Sequence, residues 1–93
     1  MIETTKRIAI LAIPGVQMLD LAGPMDVFCE AANLLRDPEA YCTRIVALTK
    51  EPLRALNGAR LLPDASIDSS LEGFDTLLIA AVPEFADTRI IRS

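Results

Sequence analysis

Two short uninterrupted apolar runs, RIAILAI at residues 7–13 and TLLIAAV at residues 76–82, constrain this chain more than any other feature. Neither alternates polar with apolar residues, so neither suits a strand with one face in water. The first is β-branched at Ile8, Ile10 and Ile13. Such runs match strands covered on both faces, as in parallel sheets flanked by helices. Composition agrees: 52% of the 93 residues are hydrophobic, mean hydropathy is +0.37, and only 4% are aromatic, so the core has to be built from Ile, Leu, Val and Ala. The expected class is α/β, within one domain at most.

Between the runs the pattern alternates in kind. Pro14-Gly15 closes the first run and turns the chain. From Leu19 to about Leu35 the period becomes helical, with Met25, Phe28, Cys29 and Ala32 on an apolar stripe and Asp26, Glu30, Asn33 and Asp37 opposite. Pro24 suits a first helical turn, which predicts residues 19–23 as a separate lead-in segment. Asp37-Pro38 ends the helix, and residues 41–49 read as a second strand. Asn57-Gly58, set between residues 53–56 and 59–62, predicts a β-hairpin with a type I′ turn. Residues 63–70 read as a polar connection and 71–73 as one helical turn. After Pro83 breaks the second apolar run, Asp87 is placed to cap a helix starting at Thr88. No internal repeat is present. Strands composed for two-sided burial, with one long helix to cover them, read as the front half of a larger domain. The excess hydrophobicity predicts a partner, either the remainder of that domain or a second copy of the chain.

Several classes of function are excluded at this level. Nine Lys+Arg against thirteen Asp+Glu give a net charge of −4, with no run of three basic residues, so this segment is not expected to bind a phosphate backbone itself. The chain has no histidine, which removes Ser-His-Asp and Cys-His catalysis from within it and the usual zinc ligand sets. Two cysteines without CxxC spacing fit a reducing, cytoplasmic setting. The apolar N-terminal run ends in Pro14-Gly15 and reaches Asp20 without a small-residue cleavage pattern, so it does not read as a signal peptide; no stretch is long enough for a membrane span, and no membrane association is expected. No GxGxxG, P-loop or GxSxG motif occurs, and nothing in the sequence calls for a cofactor or a metal.

Open parallel sheets bind ligands beyond the carboxyl ends of their strands. Residues 14–20 and 82–87 lie at such ends, which nominates Pro14, Gly15, Asp20 and Glu84 for ligand contact. Asp20 is the residue singled out: desolvated beside the first strand it would donate a proton or hydrogen bond, and otherwise it caps the local turn through its own backbone. Glu84 and Asp87 read equally as helix-start carboxylates. Cys29, on the apolar stripe, reads as a core residue, and Cys42 lies at the wrong end of the sheet. Asp64, Asp68, Glu72 and Asp75 are too loosely spaced for a calcium loop and read as a solvated face.

The stretch RIAILAIPGVQMLDLAGPMDVFCEAANLL, residues 7–35, resembles the opening of the ThiJ/PfpI superfamily, the class I glutamine-amidotransferase-like domains. Its PGVQMLDLAGPMDVF core is most similar to the branch in which this domain precedes an AraC-type helix-turn-helix region in bacterial transcriptional regulators. The NGARLLPDASIDS and FDTLLIAA segments fit the same order of hairpin, polar connection and buried strand. The resemblance implies a flavodoxin-like parallel-sheet sandwich that commonly dimerises, with residues 1–93 ending before the nucleophile elbow. It implies a regulatory, ligand-sensing role for a small-molecule effector, with DNA bound only through a C-terminal helix-turn-helix region. The alternative it implies is the front of an isocyanide hydratase-like or other cysteine-dependent enzyme, in which Asp20 stands at the position of the acid that hydrogen-bonds the elbow cysteine. A third reading is a short protein without activity. The chain departs from the branch at Ala80-Ala81-Val82-Pro83-Glu84, where a glycine-rich turn is usual; side chains there would crowd a ligand approaching the backbone.

Overall fold

In the computed structural model, residues 5–68 and 73–80 are described. The first apolar run forms β1 (Lys6–Leu11), and the helical stripe forms α1 (Met18–Leu34). The second predicted strand is β2 (Tyr41–Ala47), two residues shorter than the sequence suggests. Then follow β3 (Leu53–Arg54), β4 (Arg60–Leu61), β5 (Ala65–Ser66) and β6 (Thr76–Ile79). Four strands make one sheet in the order β5-β2-β1-β6, and every pairing in it is parallel. β3 and β4 form a separate antiparallel hairpin. The α/β class and the hairpin excursion are thus as the sequence implies.

Register shows how α1 covers the sheet. Ile10 lies level with Ile45 on one side and Leu78 on the other, so these three share a face. Ile8, Ile10, Ala12, Ala47 and Ala80 are buried on that face against Leu21 of α1, with Met25, Phe28, Tyr41, Ile45 and Leu78 packed around them. Leu21, Met25, Phe28 and Ala32 are spaced i, i+4, i+7 and i+11, and form the inward line of the helix. Phe28 and Tyr41 meet at 5.1 Å between ring centroids, tilted by 48°, a favoured aromatic geometry. On the opposite face Ala9 and Val46 are buried. Leu77 and Ile79, also on that face, are 45% and 73% exposed, so the second apolar run does not find its two-sided burial among the described residues.

Three local expectations are corrected. Pro24 does not start the helix; α1 runs unbroken from Met18, with Pro24 inside it. Pro24 has no N–H for the carbonyl of Asp20, four residues back, and its ring crowds that group. Burial of Val16 and Leu21, 0% and 1% exposed, holds the additional turn in place despite this cost. The hairpin does not use a type I′ turn. Ala55 N–H bonds Ala59 O and Gly58 N–H bonds Ala55 O, and only Gly58 has positive φ (92°), giving a three-residue loop with glycine in the left-handed position. The polar connection at 63–70 holds a strand, β5, beside β2.

The helix terminates without glycine. Arg36 N–H bonds Asn33 O and Asp37 N–H bonds Ala32 O, both at 3.0 Å, the paired bonds of a Schellman motif. Arg36 occupies its left-handed position at φ 57°, where a side chain is strained. Gly73 forms the turn before β6, while Leu71, Glu72 and the helix predicted from Thr88 lie outside the described residues.

Candidate functional site

Because β1 and β2 are parallel, α1 returns antiparallel to them, and its N-terminus meets the carboxyl ends of the strands. Gly15 (φ 89°) makes the turn from β1, and its N–H bonds Arg54 O at 2.9 Å. Leu56 N–H bonds Val16 O at 2.8 Å, so the hairpin is clamped onto the loop that follows β1. Two clefts open at this end of the sheet.

The first, about 470 Å³, lies over the ends of β1 and β6 and is lined by Ile10, Leu19, Asp20, Gly23, Leu78 and Ile79. Asp20 is exposed in the first turn of α1, with its N–H on Gln17 O at 3.0 Å. A carboxylate there complements the positive end of the helix. Gln17, the residue capping the helix, makes no side-chain cap bond, so Asp20 supplies the negative charge at that end. The second cleft, about 460 Å³, lies between the end of β2 and the hairpin and is lined by Pro14, Leu48, Thr49, Glu51, Pro52 and Arg54, with Ala47 and Leu53 behind them. Thus Pro14 and Asp20, nominated together, border separate clefts, and Gly15 serves through its backbone. Glu84 and Asp87 lie outside the described residues.

The thiols sit at the other end. Cys29 and Cys42 both border a groove of about 560 Å³ beside Met25, Phe28, Ala32 and Tyr41. Cys42 pairs in register with Arg7 near the amino end of the sheet. Cys29 is exposed, not core, because it lies one residue past the inward line that Phe28 occupies. Among the described residues, the cleft that Asp20 lines contains neither sulfur.

Two aspartates read as solvated have defined work. Asp75 N–H bonds Arg7 O at 2.7 Å while Arg7 N–H bonds an Asp75 carboxylate oxygen at 2.8 Å. Asp64 and Ile45 repeat the arrangement, also at 2.7 and 2.8 Å. Each aspartate stands one residue before a strand, and its carboxylate replaces the carbonyl that a longer ladder would supply. Asp68 accepts the Ser66 hydroxyl at 2.7 Å. The Arg7 guanidinium also lies 4.7 Å over the Phe74 ring. Among the described residues no group of three metal-ligating side chains is present, and no helix is long and apolar enough to cross a membrane.

No protein-family model matches the sequence, and comparison with curated proteins finds no significant match. Solved structures do match. A DJ-1 superfamily protein from Agrobacterium tumefaciens superposes with a TM-score of 0.66 at 19% identity, covering 89% of this chain and 41% of its own. A ThiJ/PfpI family protein from Pseudomonas syringae gives 0.70 at 22% identity, covering 86% and 30%. An AraC family transcriptional regulator from Pseudomonas putida gives 0.69 at 21% identity, covering 82% and 46%. The chain spans less than half the length of each. Over that length, the parallel sheet, the covering helix and the clamped hairpin are the fold of the DJ-1/ThiJ/PfpI proteins.

Proposed function

We propose that this chain is a ligand-sensing regulatory segment of an AraC-family transcriptional regulator, non-catalytic by itself, with DNA contacts made by a helix-turn-helix region outside it. The observation that carries this reading is the separation of groups. Asp20 faces a cleft at the carboxyl end of the sheet, whereas both cysteines border the groove at the amino end. Cys29 and Cys42 so placed are not partners for Asp20, which supports the chain's being non-catalytic by itself, and a cleft with apolar walls and one carboxylate suits reversible binding of a small molecule. The net charge of −4 supports leaving DNA to another region. The match to the regulator from Pseudomonas putida supports the same reading.

The test is turnover. Purified chain is expected to convert neither isocyanide nor amide substrates; measurable turnover that disappears in Asp20→Ala overturns the proposal in favour of the enzyme reading. If the coding sequence continues past Ser93, a basic helix-turn-helix segment supports the regulator, and an elbow cysteine without one supports the enzyme.

A further inference from the structure

We propose that Arg54 and Arg60 form an oxyanion-recognition pair on the hairpin, taking the carboxylate or phosphate of a small molecule held in the cleft beside them. The two residues lie directly opposite each other in the β3–β4 ladder. The bond from Ala55 N–H to Ala59 O makes the next position toward the turn the hydrogen-bonded one, so Arg54 and Arg60 occupy the non-bonded position, where cross-strand side chains are nearest. Both are exposed. Like charges set opposite each other destabilise a hairpin, and an anion bound between them removes that repulsion.

Four further observations make this more than a pair of surface cations. Arg54 Nη1 donates to Gly58 O at 2.8 Å, which fixes the guanidinium against the turn and leaves its remaining donors for a ligand. Among the described residues, neither arginine forms an ion pair with a carboxylate. The hairpin is clamped by two backbone bonds to the loop after β1, at the sheet end where this architecture places ligands, and Arg54 lines the cleft there. Thr49, in the same cleft, accepts Glu51 N–H at 3.2 Å through Oγ1 and keeps its own hydroxyl proton to donate. Glu51, the one carboxylate in that lining, repels any anion bound there, and the two guanidinium groups have to offset it.

This inference goes beyond the sensing reading by placing an anion site in the cleft that Asp20 does not line, and its test reads binding alone, so it can fail while the regulatory role stands. Amide resonances of the whole chain are followed during titration with inorganic phosphate and, separately, acetate, with ionic strength held constant by sodium chloride. Saturable shifts are expected at residues 54–61 and Thr49. Saturation by phosphate alone identifies a phosphorylated ligand, by acetate alone a carboxylate, and by both the shared chemistry. R60Q leaves the Arg54–Gly58 bond intact and is expected to weaken binding about fivefold or more; R54Q does the same while also loosening the turn. An R54K/R60K variant keeps the charge but loses the planar forks, and is expected to bind more weakly than wild type. Shifts that chloride reproduces, or wild-type affinity in R60Q or in the double lysine variant, overturn the proposal.

Discussion

Replacing Asp75 by Ala removes one side of the two-bond ring that starts β6 and leaves the other, since Asp75 N–H still reaches Arg7 O. A hydrogen bond to a charged acceptor contributes about 1.5–3 kcal/mol and a neutral one about 0.5–1.5 kcal/mol. Both members of the ring are exposed, so water takes up the freed Arg7 N–H, and the expected loss is about 1 kcal/mol. In a domain of this size that lowers Tm by about 4–8 °C. Asp64→Ala is expected to cost the same, by the same construction on Ile45. In the order β5-β2-β1-β6 the two aspartates stand at opposite edges, three strand spacings or about 14 Å apart, so the double variant should lose about 2 kcal/mol, the sum of the two. The Asn variants keep an acceptor oxygen without the charge and should lose about half as much. Urea unfolding gives the energies, and amide hydrogen exchange gives the location: Asp75→Ala should deprotect Arg7 but not Ile45, and Asp64→Ala the reverse. Alanine variants within about 0.3 kcal/mol of wild type, or deprotection at both sites from either variant, would refute the argument that these carboxylates stand in for ladder carbonyls.

Arg36→Gly should stabilise the chain by about 0.5–1 kcal/mol in urea unfolding, because glycine takes the left-handed position at φ 57° without strain. Gly58→Ala should destabilise it by about 1 kcal/mol; space around that position is open, so the loss arises from φ 92° alone. Pro24→Ala restores an N–H to the Asp20 carbonyl inside α1 and should raise stability by about 1 kcal/mol or more, read from Tm. A thiol reagent should modify exposed Cys29 well before half-buried Cys42, seen as two kinetic phases that reduce to one in Cys29→Ser.

The parts of the fold legible in the sequence are those with local causes. Residues 7–13 read as a strand because nothing polar interrupts them and Pro14-Gly15 stops them. Asn57-Gly58 located the hairpin, although the turn type depended on the Ala55–Ala59 bond, which no dipeptide encodes. Pro24 misled, because the helix start was decided by burial of Leu21 against a sheet whose strands come from residues 6 to 79, not by the local N–H count. Cys29 misled because periodicity gives a stripe but not its centre, and the sheet centres it on Phe28. Of the candidate site, the position of Asp20 at the carboxyl end of the sheet was legible by topology. Asp64, Asp75 and the Arg54–Arg60 pair were not, since each acquires its role from a partner across strands, and only the hairpin spacing offered a signal for the arginines.

The central position of β1 also sets a timetable. Its residues are made before those of β2 and β6, yet Arg7 is bonded to Asp75, 68 positions later. On the ribosome, one edge of β1 closes when β2 arrives, and the other waits through roughly 30 more residues, a few seconds at about 5–20 residues per second. Through that interval Arg7, Ala9 and Leu11, whose backbone groups face β6, carry an unpaired row of amides and carbonyls, a template that another nascent chain can pair with. Yield in the cell should therefore respond to anything that alters the delay between β2 and β6, such as slow codons in the hairpin, even where the finished fold is unchanged.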